Sequence, residues 1–324
     1  MRLGVGEDHS FVAAFRRLLT TLRRAKPYWY LMAVSGAAFR LQIHCNGWRM
    51  NSTDAMTGFD LTGGLFEAFG LRCERLWVCG EPQRLARART RIIENLARGW
   101  PTIGLGMDGR GFHGVIVGAI TDENMLALDY SARGRTHEVL QRLVWCYHLL
   151  TAITASHSEE DHIRQAFALA LRLATTSRAA SFHLGADAYS YWHATLTNPD
   201  HHNPLGNDWR VRERNDGNYW LYISLLDARR AAEQFCRWVA RRLPAAAPFA
   251  IPLADHYAVI AATLEPLLTA QTVRPAAHIN AARPWTMHER RKQALVLQHV
   301  ADVEQRAAVL VRELHALLQD SGAA

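Results

Sequence analysis

A histidine and an aspartate sixteen residues apart are the clearest candidates for acid–base chemistry in this sequence. His113 begins an apolar run that ends at Gly118, and Asp129 closes the next apolar run after a turn near Glu123. On two antiparallel strands joined by that turn, the carboxylate would orient the imidazole and stabilise its protonated form. The pair is therefore a candidate general base with its orienting group. The alternative is a strand-end histidine beside an aspartate that caps a turn.

Arg40 and Asp60 are candidate substrate-binding residues. Arg40 follows the small residues of the segment Ser35–Phe39, which allow a ligand to approach the backbone closely. Asp60 lies just before a predicted helix. An arginine in a pocket suits a carboxylate, sulfate or phosphate, and an aspartate suits an amine. The alternative is that the two form a salt bridge with each other or cap the helix.

The sequence predicts neither a metal site nor a cofactor. Cys73 and Cys79 are separated by more residues than the usual zinc-knuckle spacing allows. The glycine pair Gly104 and Gly106 lies in a strand-like segment and does not open a helix, so it does not match a phosphate-binding loop.

Two kinds of element must position these residues. The spacing of apolar residues predicts helices over residues 11–24, 84–98 and several later segments, and residue types predict short strands at 101–107, 112–120 and 125–130. Short turns join these strands, so an antiparallel meander is expected. We therefore predict an α+β fold, with helices and a small antiparallel sheet in residues 1–150 and an all-helical domain in residues 151–324.

Composition indicates a soluble globular protein. The chain has 324 residues, of which 49% are hydrophobic and 21% charged. It has no run of about 18 uninterrupted apolar residues, and its five cysteines have no close spacing, so we expect a cytoplasmic protein without a membrane partner. The net charge is +7, with 35 arginines and two lysines, but the arginine pairs alternate with acids along predicted helices. We therefore expect no nucleic-acid partner.

Several short motifs resemble a known superfamily. The segment Gly6–Phe11 (GEDHSF) at the start of a helix, followed by a histidine-bearing hairpin that ends in aspartate, resembles the papain-like fold of bacteriocin-processing cysteine peptidases. It is similar in particular to the N-terminal domain of the butirosin biosynthesis protein H family. The segments Leu31–Arg40 and Gly185–Trp192 resemble motifs of a branch of this superfamily in which the papain-like domain is paired with a helical one.

The resemblance implies roles for three residues. Ser10 takes the position of the family's nucleophilic cysteine, His113 that of the base and Asp129 that of the orienting group. A serine hydroxyl must lose its proton during attack, whereas a thiol is intrinsically more reactive, so the replacement puts covalent acyl transfer in question. Ser10 is therefore a nucleophile, a hydroxyl that positions an amine, or the N-cap of the first helix.

Three functional hypotheses follow. The first is a cofactor-independent enzyme of natural-product biosynthesis that forms a C–N bond, with His113 deprotonating a substrate amine and Arg40 holding an anionic group. Loss of sulfate would make this the chemistry of the aziridine-forming enzymes of azinomycin-type pathways. The second is transfer of an acyl group from a carrier protein to an amine. The third is a non-catalytic ligand-binding or scaffold protein. The expected partners are a small amine substrate with an anionic group, and a carrier protein or a small partner subunit.

Overall fold

The computed structural model describes residues 7–107, 111–121, 124–128, 138–140, 144–199, 209–270, 272–273 and 285–320. The chain forms two compact units. The first, here called the sheet unit, comprises Met1–Leu31 and Thr62–Ser158, and the second, the helical unit, comprises Met32–Leu61 and Glu159–Ala324. Both units combine helices with an antiparallel sheet, so the fold class is α+β, as predicted.

The regular elements occur in the following order within the described residues. The helices are α1 (Ser10–Thr21), α2 (Tyr28–Val34), α3 (Thr62–Ala68), α4 (Pro82–Ala97), α5 (Glu159–Thr175), α6 (Gly185–Thr197), α7 (Trp209–Arg242), α8 (Ala247–Thr269) and α9 (Met287–Asp320). The strands are β1 (Gln42–His44), β2 (Leu71–Trp77), β3 (Thr102–Leu105), β4 (His113–Ala119), β5 (Met125–Leu128), β6 (Glu138–Leu140), β7 (Cys146–Ile153), β8 (Arg178–Ala179) and β9 (Phe182–Leu184).

The sheet unit is built on six antiparallel strands in the order β2-β7-β3-β4-β5-β6. Helix α4 packs on one face of this sheet, where Ala88 and Ile92 contact a core that includes Ile116, Tyr147 and Leu149. Pro82 stands in the first turn of α4, where its fixed φ angle favours helix initiation and its missing N–H costs nothing. Arg84 and Arg87 of α4 are exposed, whereas the buried Asn95 lies with the apolar stripe on the sheet side and donates to the carbonyl of Leu150 at 3.0 Å.

Aromatic side chains fill the space over the opposite face of the same sheet. Helix α1 contacts β3 and β4, and its Phe11 and Phe15 meet Phe66 of α3 at ring-centroid distances of 6.1 and 5.1 Å in edge-to-face geometry. Such pairs stabilise a core beyond the area that they bury. The packing holds the first turn of α1 beside the beginning of β4.

Where the structure describes it, the helical unit has a three-stranded sheet of order β1-β9-β8 and five long helices. A buried polar link joins three of its helices: Trp192 donates its indole N–H to Asn218 at 2.7 Å, and Asn218 exchanges hydrogen bonds with Gln293 at 2.9 and 3.2 Å. Buried amides satisfied in this way fix the relative positions of the helices that carry them.

The segment Pro244–Thr269, which includes α8, is long and apolar enough to cross a membrane by length and composition, a property that it shares with packed core helices. Helix α8 contacts α7 and α9 within the helical unit.

The structure confirms some of the predicted elements and corrects others. The antiparallel meander β3-β4-β5 is present as predicted. The expectation of an all-helical second half was wrong, because β8 and β9 pair with β1 there. Strands of two or three residues are too short to show a sequence periodicity. Strands β2 and β7 were also missed, since the first carries three charged residues among its seven and the second is a nearly continuous buried run without alternation.

Gly70, between α3 and β2, generates a stability prediction. Its φ is +63°, and a Cβ there would lie 2.2 Å from the carbonyl oxygen of Ala155. We expect Gly70→Ala to lower the free energy of unfolding by about 2 kcal/mol or more, because both the backbone conformation and the contact are unfavourable. Gly63→Ala is the matched control, since its Cβ would meet nothing within 4 Å. Urea denaturation measures both variants, and equal stabilities would contradict the prediction.

Candidate active site

Ser10 is the first residue of α1, and its side chain does not cap the helix. The cap is His9, whose Nδ1 accepts a hydrogen bond from the backbone N–H of Val12 at 3.4 Å. The backbone N–H of His9 donates to the hydroxyl of Tyr28 at 2.9 Å. The interpretation of Ser10 as the N-cap was therefore wrong, and its hydroxyl is available for other contacts. Ser10 is partly exposed.

Ser10 and His113 lie in direct contact. Ser10 Oγ is 3.3 Å from His113 Nδ1, and the backbone N–H of His113 donates to the same Oγ at 3.2 Å. The hydroxyl thus accepts one hydrogen bond from the strand backbone. Its own proton is directed to Nδ1 when the imidazole carries its proton on Nε2.

His113 is enclosed by apolar and aromatic groups. Its side chain is buried, with 1% of the residue exposed, and its ring lies 5.2 Å from that of Phe11 and 6.2 Å from that of His148. Nε2 has no hydrogen-bond partner among the described residues. The predicted orienting residue, Asp129, lies outside the described residues, so its role stays a prediction.

The imidazole of His113 is neutral at physiological pH. Burial, with a smaller contribution from the positive charge of Arg75, lowers the pKa of His113 to about 3. Both effects disfavour the imidazolium form. The resting pair is therefore a neutral imidazole beside an intact serine hydroxyl, and not an ion pair.

The strand register places an arginine on the same face of the sheet as the pair. His113 is paired with Leu105 of β3, and Leu105 is paired in turn with Cys146 of β7. His148 follows two residues after Cys146 on β7 and is paired with Arg75 of β2. Because directly opposed residues and residues two apart share one face, Arg75 lies on the face that carries His113. Its Nη2 donates to Thr62 Oγ1 at 2.6 Å.

The two predicted substrate-binding residues lie in the helical unit. Arg40 is 8% exposed, and its guanidinium donates to the backbone carbonyls of Phe59, Thr53 and Asp54 at 3.1, 3.1 and 2.8 Å. Burial lowers the pKa of Arg40 to about 10, against the opposing effect of Asp54 and Asp60. These contacts give Arg40 a structural role in holding the loop after the 3-10 helix at 50–53. Its role as an anion holder, and that of Asp60 toward an amine, stay predictions.

Sequence reasoning missed Arg75, whose charge acts on His113, and Thr62, which accepts a hydrogen bond from Arg75. Leu71, Cys73 and Trp77 recur at alternate positions of one segment, and this pattern would have predicted a strand that carries Arg75 on the same face. The charged residues of the segment obscured the pattern. Within the described residues, no group of three or more His, Cys, Asp or Glu side chains is arranged to hold a metal ion.

Comparison of the sequence with known proteins identified no related family or protein. No known protein-family description matches the chain, and no curated protein matches it either.

The buried imidazole makes stability depend on pH. The native pKa of about 3 lies below the value of about 6.5 expected in the unfolded chain, so the unfolded state binds more protons between these values. The contribution of His113 is fully present above about pH 6.5 and is lost as the pH falls toward 3, by an amount on the order of a few kcal/mol.

We expect His113→Asn to flatten the pH dependence of the free energy of unfolding between pH 4 and 6.5, as measured by chemical denaturation. His299→Asn, at an exposed position of α9, is the control and should leave the wild-type profile. A His113 variant with the wild-type profile would show that this imidazole is not the titrating group.

Proposed function

We propose that this chain is a cofactor-independent enzyme of natural-product biosynthesis that forms a C–N bond at a substrate amine, with Ser10 and His113 as its reactive pair. The observation that carries the proposal is the 3.3 Å contact between Ser10 Oγ and His113 Nδ1, with the serine partly exposed and the histidine buried. A nucleophile or proton donor within reach of a base is the arrangement that proton-transfer catalysis requires.

The proposal includes a papain-like fold for the sheet unit. Three features support it: the reactive residue lies in the first turn of a helix, that helix packs on an antiparallel sheet, and the base is the first residue of a sheet strand. The motif resemblance implies the same arrangement.

The burial of His113 determines that a substrate contacts the hydroxyl of Ser10 and not the imidazole. Nδ1 of His113 faces Ser10, and Nε2 is buried. A substrate therefore reaches the pair at the hydroxyl of Ser10, and His113 acts on the substrate through that hydroxyl. This differs from the expectation that His113 touches the amine directly.

Acyl transfer is the first reaction that this arrangement supports. Ser10 Oγ attacks the carbonyl carbon of an acyl thioester on a carrier protein while its proton passes to His113. The thiol leaves with that proton and an ester on Ser10 remains. The amine then attacks the ester, forms the amide and returns the proton to Ser10. The positive end of the dipole of α1 lies beside Ser10 and favours the negative charge that develops there.

Ring closure is the second candidate reaction, and the position of Arg75 favours it. The amine nitrogen attacks a neighbouring carbon, the C–O bond to sulfate breaks, and sulfate leaves with the electron pair. The proton lost by the nitrogen passes to Ser10 Oγ as the hydroxyl proton of Ser10 passes to His113. An arginine on the same face as His113 suits the departing anion.

We place this activity in the cytoplasm, because the predicted thioester and amine substrates belong to intracellular biosynthesis and the cysteines of the described residues are free.

A trapping experiment tests the acyl route. An acyl N-acetylcysteamine thioester, incubated with the full chain, should add the mass of one acyl group in intact-mass spectrometry. Ser10→Ala should abolish the adduct, and His113→Asn should slow its formation by about 10²-fold or more, because the base is lost. Thr20→Ala, on the exposed side of the same helix, is the control. An adduct that persists in Ser10→Ala would overturn the role of Ser10.

The closure route is tested with 2-aminoethyl hydrogen sulfate, the simplest amine with a neighbouring sulfate. We expect release of sulfate and formation of aziridine without an acyl adduct, and a KM about tenfold higher in Arg75→Gln because the anion loses a cationic neighbour. Arg72→Gln, exposed on the same strand, should behave as wild type. Absence of both the adduct and sulfate release would contradict the proposed enzyme and favour a binding or scaffold protein.

A further inference from the structure

A second concave site lies within the helical unit. It is a pocket of about 570 Å³, including its open mouth, between α5, α6, α7, α8, α9 and the segment that follows α2. The space inside it that water-sized groups can occupy is about 80 Å³, several times what one water molecule needs and enough for a small ligand. All of its lining residues belong to the helical unit, so it is separate in the chain from Ser10 and His113.

Two sequence motifs that the proposed function leaves unused meet at this pocket. Phe39, from the segment Leu31–Arg40, lines the wall, and the carbonyl of Ala38 accepts a hydrogen bond from Arg229 Nη1 at 2.8 Å. Gly185 and Tyr189, from the segment Gly185–Trp192, line another part.

A backbone constraint accounts for the glycine of the second motif. Gly185 has a φ of +51°, and a Cβ there would lie 3.1 Å from the carbonyl oxygen of Leu173, which also lines the pocket. Glycine is the residue that adopts this conformation without strain. The wall of the pocket therefore depends on this position.

The pocket combines apolar walls with one ionic pair. Leu173 and Val311 are among the apolar lining residues, whereas Arg229 and Glu304 supply charge. Arg229 Nε donates to Oε1 of Glu304, and Tyr189 donates its hydroxyl proton to the same oxygen at 3.3 Å. Burial raises the pKa of Tyr189 well above its ordinary value, so this hydroxyl stays protonated and remains a donor.

The two members of the ionic pair differ in access. The Arg229 side chain is 1% exposed, whereas the Glu304 side chain is 20% exposed. Among the described residues, the second carboxylate oxygen of Glu304 has no hydrogen-bond partner. The group that a ligand meets is therefore an acceptor carrying negative charge, and the guanidinium behind it is already engaged with Glu304 and Ala38.

We infer that this pocket binds a small, mostly apolar primary amine, whose ammonium group pairs with the second oxygen of Glu304 and whose hydrocarbon part packs on the apolar walls. A carboxylate ligand would face the exposed carboxylate of Glu304 and be repelled. The inference does not rest on the proposed function, because it involves no residue of the sheet unit.

Three probes of equal chain length test the inference on the full chain: n-hexylamine, 1-hexanol and hexanoate. Isothermal titration calorimetry, supported by saturation-transfer NMR, should detect hexylamine binding and at least tenfold weaker binding of the other two. Glu304→Gln should weaken hexylamine binding at least tenfold, because the amide retains an oxygen for Arg229 and Tyr189 but replaces the second oxygen by a donor. Binding of hexanol or hexanoate as tight as that of hexylamine would overturn the inference.

A second variant keeps the test independent of the ionic pair. Ala308 lines the pocket and is only partly buried, so Ala308→Phe should fill the space and abolish hexylamine binding without preventing folding. Val309→Phe, at a neighbouring position that is 51% exposed, is the matched control and should bind as wild type. If no hexylamine binding is detected in the wild type, or if binding is unchanged in Ala308→Phe, the pocket is not the amine site.

Discussion

The contact between one hydroxyl and the first residue of one strand is the interaction on which the candidate active site depends. Ser10 Oγ accepts the backbone N–H of His113 and lies within reach of its ring nitrogen. The same atom therefore fixes the helix on the sheet and stands next to the base. The two contacts share one oxygen atom, so the backbone hydrogen bond that ties α1 to the strand also keeps the hydroxyl beside the imidazole.

The aromatic layer between α1 and the sheet determines the chemistry of this contact as well as its geometry. Phe11 packs on the ring of His113, and the exclusion of water keeps the imidazole neutral. The resting state therefore holds a neutral imidazole and a protonated serine, because the burial that lowers the pKa of His113 opposes an ion pair at this site. The proton must therefore move during the reaction. This requirement restricts the pair to reactions in which charge develops close to Ser10 and is stabilised there.

The sequence predicted those features that have a local signature. The segment GEDHSF and the hairpin glycines pointed to Ser10 and His113, and alternation with turn residues predicted β3, β4 and β5. Contacts that depend on long-range pairing had no local signature. Arg75 reaches the site only because β2 pairs with β7, and the donors of Arg40 are occupied by carbonyls thirteen to nineteen residues further along the chain. An arginine that follows several small residues has the same local sequence whether it binds a ligand or backbone carbonyls, so the sequence could not distinguish the two for Arg40. The pocket around Arg229 and Glu304 likewise joins residues 75 positions apart.

The arrangement of the two units along the chain affects how the protein forms. The chain passes from the sheet unit to the helical unit after Leu31, returns at Thr62 and leaves again after Ser158. The first 31 residues, which carry Ser10, pack on strands that begin after residue 100 and are therefore synthesised later. The segment 32–61 belongs to a unit whose helices are synthesised later still. During synthesis on the ribosome, neither unit is complete when its first part emerges, and both early segments carry apolar surface until their partners follow. A single cut in the chain therefore yields no fragment that contains one unit whole and nothing of the other.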